Sequence, residues 1–236
     1  MRLAVINPNA SAAMTAAIGE AARAAAPAGV EILAMGNADG PVSIEGHVDG
    51  AHAVPGLLAR IAEAEAAGAR AHVIACFDDT GLDAARSIAT GPVVGIGEAA
   101  YHAASLVAER FGVVTSMPAA LPVLRTNLRS YGLDIRCAGL RAAGVPVLEI
   151  DRGTPEALAA IRRETRAALE QDGADAIVLG CAGMAALARE LSAEFACPVV
   201  EGIAAGVGLA AMLAAQGLAT SKRGGYAAPR PKTEAL

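Results

Sequence analysis

The chain has no tryptophan, and aromatic residues make up only 3% of its 236 positions. Aromatic rings are the surfaces on which single-stranded nucleic acids stack their bases, so such a partner would find little to bind. The formal net charge of −5 also disfavours a phosphate backbone as a partner. We therefore expect a small-molecule substrate and no nucleic acid.

Long apolar segments are lacking as well. The first residues, MRLAVINPN, hold only a short apolar run before Asn7 and Pro8. A transmembrane helix needs about 20 apolar residues, and a signal peptide needs a longer apolar region than this one. We expect neither a signal peptide nor a membrane partner, and we predict a cytoplasmic protein.

Closely spaced cysteines are the third absence. The four cysteines, at positions 76, 137, 181 and 197, form no Cys-x-x-Cys pair, and the four histidines form no His-x-x-x-His pair. Wide spacing in a reducing compartment argues against a disulfide framework, and no spacing typical of a metal site is present. We expect no metal site.

What the sequence does contain is a large apolar fraction, 54%, much of it alanine. Short runs rich in valine and isoleucine alternate with alanine-rich stretches, which is the pattern of parallel β/α units. Strands are predicted at 3–6, 30–34, 71–75, 93–96, 111–115, 134–138, 176–179 and 199–200. Helices are predicted at 11–26, 54–67, 81–89, 97–110, 119–131, 155–171, 184–195 and 203–216.

Two parts of the chain repeat one pattern. The stretch HVIACFDDTGLDAARSIATGPVVGIGEAA matches AIVLGCAGMAALARELSAEFACPVVEGIAAG. In both, a cysteine ends a strand, a helix follows, and Pro-Val-Val begins 16 residues after Cys76 and 17 residues after Cys181. The pattern predicts an α/β fold of two similar Rossmann-like halves, each a parallel sheet flanked by helices, related by a pseudo-twofold axis.

The same pattern suggests domain boundaries. We expect residues 1–97 plus about 204–222 in the first half and residues 98–203 in the second, with the active site in the cleft between them. The segment 223–236 is rich in glycine, proline and charge, which predicts a mobile tail. Ligands of open parallel sheets bind beyond the carboxyl ends of the strands, where Cys76 and Cys181 are expected.

Two facing thiols suit acid–base chemistry. If both cysteines precede helices, the helix N-termini should lower the pKa of each thiol. One thiol could then remove a proton from a carbon atom while the other returns a proton on the opposite face, which inverts a stereocentre. Cys137 and Cys197 are expected only to pack.

Other polar residues are expected near the same cleft. Asn7 and Asn9 follow the first strand, and Thr115 and Ser116 follow its counterpart, so their side chains could hold a carbonyl, an imide or a carboxylate. The NPN motif could equally be a simple turn. The segment PVSIEGHVD, which contains Ser43, could be a lid or an ordinary surface loop.

In these motifs the chain resembles the aspartate/glutamate racemase superfamily, and most closely its hydantoin and allantoin racemase branch. The resemblance rests on INPNAS, PVSIEG, ACFDDTGLDAAR, PVVGIGEAA, VLGCAGM, PVVEG and TSKRGGY, in that order. It implies a cofactor-independent racemase, expected to be a homo-oligomer, in which Cys76 and Cys181 act as bases on C5 of a 5-monosubstituted hydantoin.

The resemblance also implies which residues surround the ring, together with backbone N–H groups beside the cysteines. The expected substrate-binding residues are Asn7, Asn9, Ser43, Phe77, Asp78, Asp79, Thr80, Thr115, Ser116, Ala182 and Gly183. The branch usually shows Gly and Pro where this chain has Asp78 and Thr80, and Asp where it has Glu201. A carboxylate two residues from Cys76 should disfavour the Cys76 thiolate.

Several alternatives remain open at this point. Allantoin is the nearest alternative substrate, and racemisation of a free acidic amino acid would require a carboxylate clamp. Maleate isomerases and arylmalonate decarboxylases resemble the same superfamily. From a different class, a noncatalytic small-molecule binding protein could use the same two-lobed cleft, but binding does not require two thiols.

Overall fold

The computed structural model describes residues 1–230 as two four-stranded parallel sheets flanked by helices. The strands are β1 (Arg2–Asn7), β2 (Glu31–Gly36), β3 (Ala69–Ile74), β4 (Val93–Gly95), β5 (Phe111–Thr115), β6 (Cys137–Ala142), β7 (Ala176–Gly180) and β8 (Val199–Glu201). The helices are α1 (Ala12–Ala25), α2 (His47–Ala66), α3 (Leu82–Ile88), α4 (Ile96–Val107), α5 (Leu121–Ser130), α6 (Val147–Asp151), α7 (Pro155–Glu170), α8 (Ala188–Phe195) and α9 (Gly202–Ala215).

The two sheets have the same topology. The strand order is β2-β1-β3-β4 in the first sheet and β6-β5-β7-β8 in the second, with every pair parallel. Each crossover between parallel strands runs through a helix, as parallel pairing requires. The prediction of two similar α/β halves is therefore confirmed.

The central strands are apolar because helices cover both of their faces. All five residues of β5 and all five of β7 are buried, and so are the last five of β1. Strands buried on both sides show continuous apolar runs in place of an alternating pattern. This is the origin of the short valine- and isoleucine-rich segments in the sequence.

One apolar core runs through both halves, and Tyr101 lies where they meet. Its ring, on α4, packs edge-on against Phe77 at 5.3 Å and stacks on Phe111 of β5 at 5.8 Å. Phe77 follows β3 of the first sheet. The aromatic residues, few as they are, thus join the loop beyond the first sheet to the start of the second.

Two helices pack across the boundary between the halves. Helix α4, which follows β4, contacts β7 of the second sheet, and α9, which follows β8, contacts β3 of the first. The two helices also pack against each other. Small residues permit the close approach: a Cβ atom added at Gly202 would lie 2.6 Å from the carbonyl oxygen of Ile96.

Strand β6 begins three residues later than predicted. Asp134–Arg136 forms a short 3-10 helix before it. The Arg136 guanidinium donates to the carbonyl oxygens of Ala108 (2.7 Å) and Glu109 (2.6 Å), just beyond the end of α4. These contacts to a distant part of the chain hold the segment out of the sheet.

Helices α2 and α6 differ most clearly from the sequence prediction. Helix α2 begins at His47 and not at residue 54, so Pro55 lies inside it. The five-residue helix α6 was not predicted, because its apolar residues after Pro146 show no helical period over so short a length. Both differences lie in segments that border the site described below.

The segment before residue 231 contacts α3. Gly224–Tyr226 forms a 3-10 helix, the Tyr226 hydroxyl donates to the Asp83 carboxylate (3.0 Å), and Arg86 lies 5.7 Å from the Tyr226 ring centre. The remainder of the predicted mobile tail, residues 231–236, lies outside the described residues. Within residues 1–230, no helix combines the length and apolarity needed to cross a membrane.

We expect the central strands to carry much of the stability. Ile177→Ala in β7 removes a fully buried side chain and should lower the free energy of unfolding by roughly 2–5 kcal/mol. The matched control Ile135→Ala, at a side chain that is 81% exposed, should change it by less than about 0.5 kcal/mol. Urea unfolding measures both values, and equal losses would contradict this account of the core.

Candidate active site

Cys76 and Cys181 occupy equivalent positions just beyond the carboxyl ends of β3 and β7. In the first sheet, Ile74 pairs with β1 two residues before Cys76. In the second, Leu179 pairs with β5 two residues before Cys181. The strand register therefore places one thiol from each half at the same level of its sheet.

Both cysteines line one pocket, whose cavity has a volume of about 30 Å³. Six other predicted site residues line it: Asn9, Phe77, Asp78, Thr115, Ser116 and Ala182. The lining residues that sequence reasoning missed are Met14, Ile44, Ala75, Ala120, Val147 and Gly180. These small or apolar groups carry no chemical signal, although Ile44 belongs to the PVSIEG motif and Met14 to the segment after INPNAS.

The pKa of each of these thiols is lowered in part by the backbone N–H group two residues further along the chain. For Cys76 this group belongs to Asp78, and for Cys181 it belongs to Gly183. The Thr80 hydroxyl also donates to the Cys76 sulfur at 3.4 Å. Thr80 and Gly183 therefore act on the sulfur atoms and are not among the residues that line the pocket.

Burial outweighs these contacts and raises the pKa of both thiols. The pKa of Cys181 rises to about 12, and that of Cys76 rises further, first through burial and second through the Asp78 carboxylate. The prediction of lowered thiol pKa values is wrong. The helix after Cys76 begins only at Leu82, and the 3-10 helix Ala182–Leu187 after Cys181 does not offset desolvation.

Asp78 is the one charged side chain among the described residues that line the pocket. Asn127 of α5 donates to its backbone carbonyl at 2.9 Å, which holds the peptide in place. Burial raises the pKa of the Asp78 carboxyl to about 7. This group therefore changes its charge near neutral pH, two residues from Cys76.

The side-chain amide of Asn9 lines the pocket, and the Asn7 amide donates a hydrogen bond to it. The Asn7 Nδ2 group donates to Asn9 Oδ1 (2.8 Å) and to Thr15 Oγ1 (3.0 Å). Asn9 Oδ1 also accepts from the Ser11 N–H at 2.9 Å. Because this oxygen is occupied, Asn9 Nδ2, which lies 3.6 Å from Met14 Sδ, is the group that could donate to a ligand.

Thr115 and Ser116 continue β5 into the pocket in different ways. The Thr115 hydroxyl donates to the Gly180 carbonyl at 2.8 Å and so links the ends of β5 and β7. The carbonyl of Ser116 accepts from Gly144 N–H at 2.8 Å, while its side chain borders the pocket. Thr115 thus holds the strand ends, and Ser116 can offer a hydroxyl to a ligand.

The segment between β2 and α2 contacts both halves. Ile44 is buried on the pocket wall, whereas Ser43 is half-buried and does not line the pocket. The Glu45 carboxylate accepts from the Val147 N–H of α6 at 2.8 Å. This hydrogen bond ties the segment of the first half to the second half beside the pocket.

Asp79, a predicted substrate-binding residue, is directed away from the pocket. Its carboxylate accepts from the N–H groups of Gly97 (2.9 Å) and Glu98 (2.8 Å) at the start of α4, and from the Tyr131 hydroxyl (2.8 Å). We therefore find Asp79 at a helix N-terminus and not on the pocket wall. Within the described part of the chain, no three His, Cys, Asp or Glu side chains are grouped to hold a metal ion.

The chain is similar in sequence to known proteins. The family model described as Asp/Glu/Hydantoin racemase matches residues 3–210. A hydantoin racemase of Rhizobium meliloti is 43% identical over 235 residues, covering 100% of this chain and 98% of the relative.

Two solved structures are similar to the chain over its whole length. An allantoin racemase from Klebsiella pneumoniae superposes with a TM-score of 0.96 at 47% identity, covering 100% of this chain and 96% of that one. An allantoin racemase from Pseudomonas fluorescens gives a TM-score of 0.95 at 36% identity, with 100% of both chains covered.

We predict that Asp78→Asn lowers the pKa of the Cys76 thiol. The Asp78 carboxyl has a pKa of about 7, so it is charged over the higher pH range in which Cys76 loses its proton. Removing that charge favours the thiolate, and alkylation of Cys76 at pH 8 should become several-fold faster. Iodoacetamide labelling at a series of pH values, followed by peptide mass spectrometry, measures this rate.

Cys137 provides the control within the same molecule. Burial raises its pKa to about 11, and the charges of Arg110, Asp172 and Asp134 also act on it. Its alkylation profile should therefore be unchanged in the variant. An unchanged alkylation profile of Cys76 would mean that the Asp78 charge does not affect the pKa of the Cys76 thiol.

Proposed function

Because the chain belongs to the Asp/Glu/hydantoin racemase family, as its motifs predicted, we propose that it racemises 5-monosubstituted hydantoins with Cys76 and Cys181 as the two bases. The observation that carries the proposal is the pair of equivalent thiols, one from each half, on the wall of one pocket. A protein that only binds a small molecule would not need two equivalent thiols.

The proposed reaction transfers one proton on each face of C5. The thiolate of one cysteine takes the C5 proton, and the electron pair of the broken C–H bond moves into the ring carbonyl to form an enolate. The thiol of the other cysteine then gives its proton to C5 from the opposite face, and the enolate collapses to the carbonyl. The product is the other enantiomer, and the two sulfur atoms have exchanged protonation states.

The raised thiol pKa values set a requirement for this chemistry. Both cysteines hold their protons at neutral pH in the free protein, whereas a general base works best when its pKa lies near the working pH. The proposed base must therefore lose its proton when the substrate binds. The partner cysteine is a thiol at neutral pH and is ready to donate. Asn9 Nδ2 and the Ser116 hydroxyl could stabilise negative charge on the ring oxygens, an effect worth several kcal/mol in enzymes.

Allantoin is a second candidate, which Asp78 favours. Allantoin carries a ureido group on C5, whose N–H groups could donate to a carboxylate on the pocket wall. An alkyl substituent would instead place apolar atoms against the same buried carboxyl. The 47% identity to an allantoin racemase structure supports this candidate.

An acidic amino acid fits the pocket less well. Its two carboxylates would need cationic partners, and none of the described residues that line the pocket is lysine or arginine. The buried Asp78 carboxyl would repel a substrate carboxylate once it is ionised.

The direct test follows optical rotation with single enantiomers of allantoin, of an alkyl-substituted hydantoin and of aspartate, each with a chelator present. We expect the rotation of one or both hydantoins to decay to zero and that of aspartate to remain. Faster decay with allantoin than with the alkyl compound, reversed in Asp78→Gly, would support the ureido contact. Decay with aspartate alone would overturn the substrate assignment.

The two-base arrangement predicts opposite behaviour for the two cysteine variants. Cys76→Ser and Cys181→Ser should each lower the racemisation rate by about a hundredfold or more, since inversion needs both groups. Each variant keeps one base, which can still exchange the C5 proton of one enantiomer with solvent. In deuterium oxide, NMR should show one variant labelling only one enantiomer and the other variant labelling its mirror image.

Two further cysteine variants serve as controls. Cys137 and Cys197 lie outside the pocket lining, so Cys137→Ser and Cys197→Ser should keep racemisation within a few-fold of the unmodified protein. Spontaneous exchange at C5 is subtracted with a sample that contains no protein. Equal labelling of both enantiomers by either single variant would eliminate the two-thiol mechanism.

A further inference from the structure

Asp79, in the loop that carries Cys76, has a carboxylate that accepts three hydrogen bonds. It is 6% exposed, and one carboxylate oxygen accepts from Gly97 while the other accepts from Glu98 and from Tyr131. Tyr131 directly follows α5, an element of the second half. One side chain thus connects the cysteine loop to the start of α4 and to the opposite half.

The surroundings of Asp79 are shaped to admit its carboxylate. A Cβ atom at Gly95 would lie 2.1 Å from Asp79 Oδ1, and a Cβ atom at Gly97 would lie 2.8 Å from Asp79 Oδ2. Asp79 itself has a φ of 50°, a left-handed conformation that few residues other than glycine adopt. Close packing and an uncommon backbone conformation together fix where this carboxylate lies.

In the second half, the residue that caps the corresponding helix does not belong to the loop that carries Cys181. Glu201 lies at the position of β8 that corresponds to Gly95 of β4, since they pair with Leu179 and Ile74 respectively. Its carboxylate accepts from the N–H groups of Ile203 and Ala204, both at 2.7 Å, at the start of α9. Glu201 therefore caps its own helix, whereas Asp79 caps α4 from the cysteine loop.

The turn between Cys76 and Asp79 links the position of the Asp79 carboxylate to the position of the Cys76 thiol. The Asp79 N–H donates to the Cys76 carbonyl at 3.0 Å, and the Leu82 N–H donates to the Asp79 carbonyl at 3.1 Å. Thr80, whose hydroxyl donates to the Cys76 sulfur, is the next residue. Movement of Asp79 would displace the Cys76 backbone and the Thr80 hydroxyl together.

We propose that Asp79 is a positioning residue that holds Cys76, and not Cys181, in line with C5 by anchoring the Cys76 loop to α4 and Tyr131. The inference rests on the proposed function, because it assigns Asp79 to one of the two bases. It predicts a defect on one face of the substrate, which a general loss of stability would not produce.

The test measures each face separately in deuterium oxide. In the Cys181→Ser background, only the Cys76 face can exchange the C5 proton, and adding Asp79→Asn should slow that exchange at least tenfold. In the Cys76→Ser background, the same substitution should change exchange by the Cys181 face less than threefold. Asp79→Asn keeps the shape of the side chain but places an amide NH₂ group against the N–H donors of α4.

Tyr131→Phe provides a milder variant in case Asp79→Asn fails to fold. It removes one hydrogen bond to Asp79 and should slow exchange on the Cys76 face by a smaller factor, again sparing the Cys181 face. Glu201→Gln is the matched control, since it removes a helix cap that is not attached to a cysteine loop. It should not lower exchange on the Cys76 face relative to the Cys181 face.

The outcomes separate the two proposals. If neither single cysteine variant shows enantiomer-specific exchange, the two-thiol function fails. If both show it, but Asp79→Asn and Tyr131→Phe slow the two faces equally or slow neither, the positioning role of Asp79 is overturned. Selective loss on the Cys76 face supports both proposals.

Discussion

Parallel pairing of the central strands is the constraint on which the site depends. Because β1 pairs with β3 and β5 pairs with β7 in matching registers, the residues after each strand emerge at one edge of each sheet. Backbone hydrogen bonds hold this register, and apolar burial on both faces prevents a strand from slipping. The pocket is formed where the two edges meet, and the thiols lie within it because they follow β3 and β7.

Burial in the pocket disfavours the charged forms of the groups that line it. The apolar wall that shields the pocket from water also disfavours every charge within it, so the pKa values of Cys76, Cys181 and Asp78 all rise. Backbone N–H groups offset part of this effect at each sulfur. For the proposed reaction, one cysteine must therefore lose its proton when the substrate binds, while the other keeps the proton that it gives to the product.

The two halves share one topology but differ in the residue that caps the helix after the fourth strand. Each has a helix that begins after its fourth strand, and each caps that helix with a carboxylate. In the second half the carboxylate comes from the strand itself, through Glu201. In the first half, Gly95 leaves that space empty and Asp79 fills it from the cysteine loop. The two halves thus share the requirement for a cap, while the residue that meets it differs.

Local patterns were sufficient to predict the eight strands, the duplicated architecture and the two cysteines at strand ends. Apolar runs and turn residues act over a few positions, and a repeat is visible wherever it occurs. The direction of the Asp79 side chain, the 3-10 helix before β6 and the apolar pocket wall depended on contacts with distant residues such as Tyr131 and Glu109. The rise in the thiol pKa values was also decided by tertiary structure, because desolvation arises only when both halves close around the sulfur atoms.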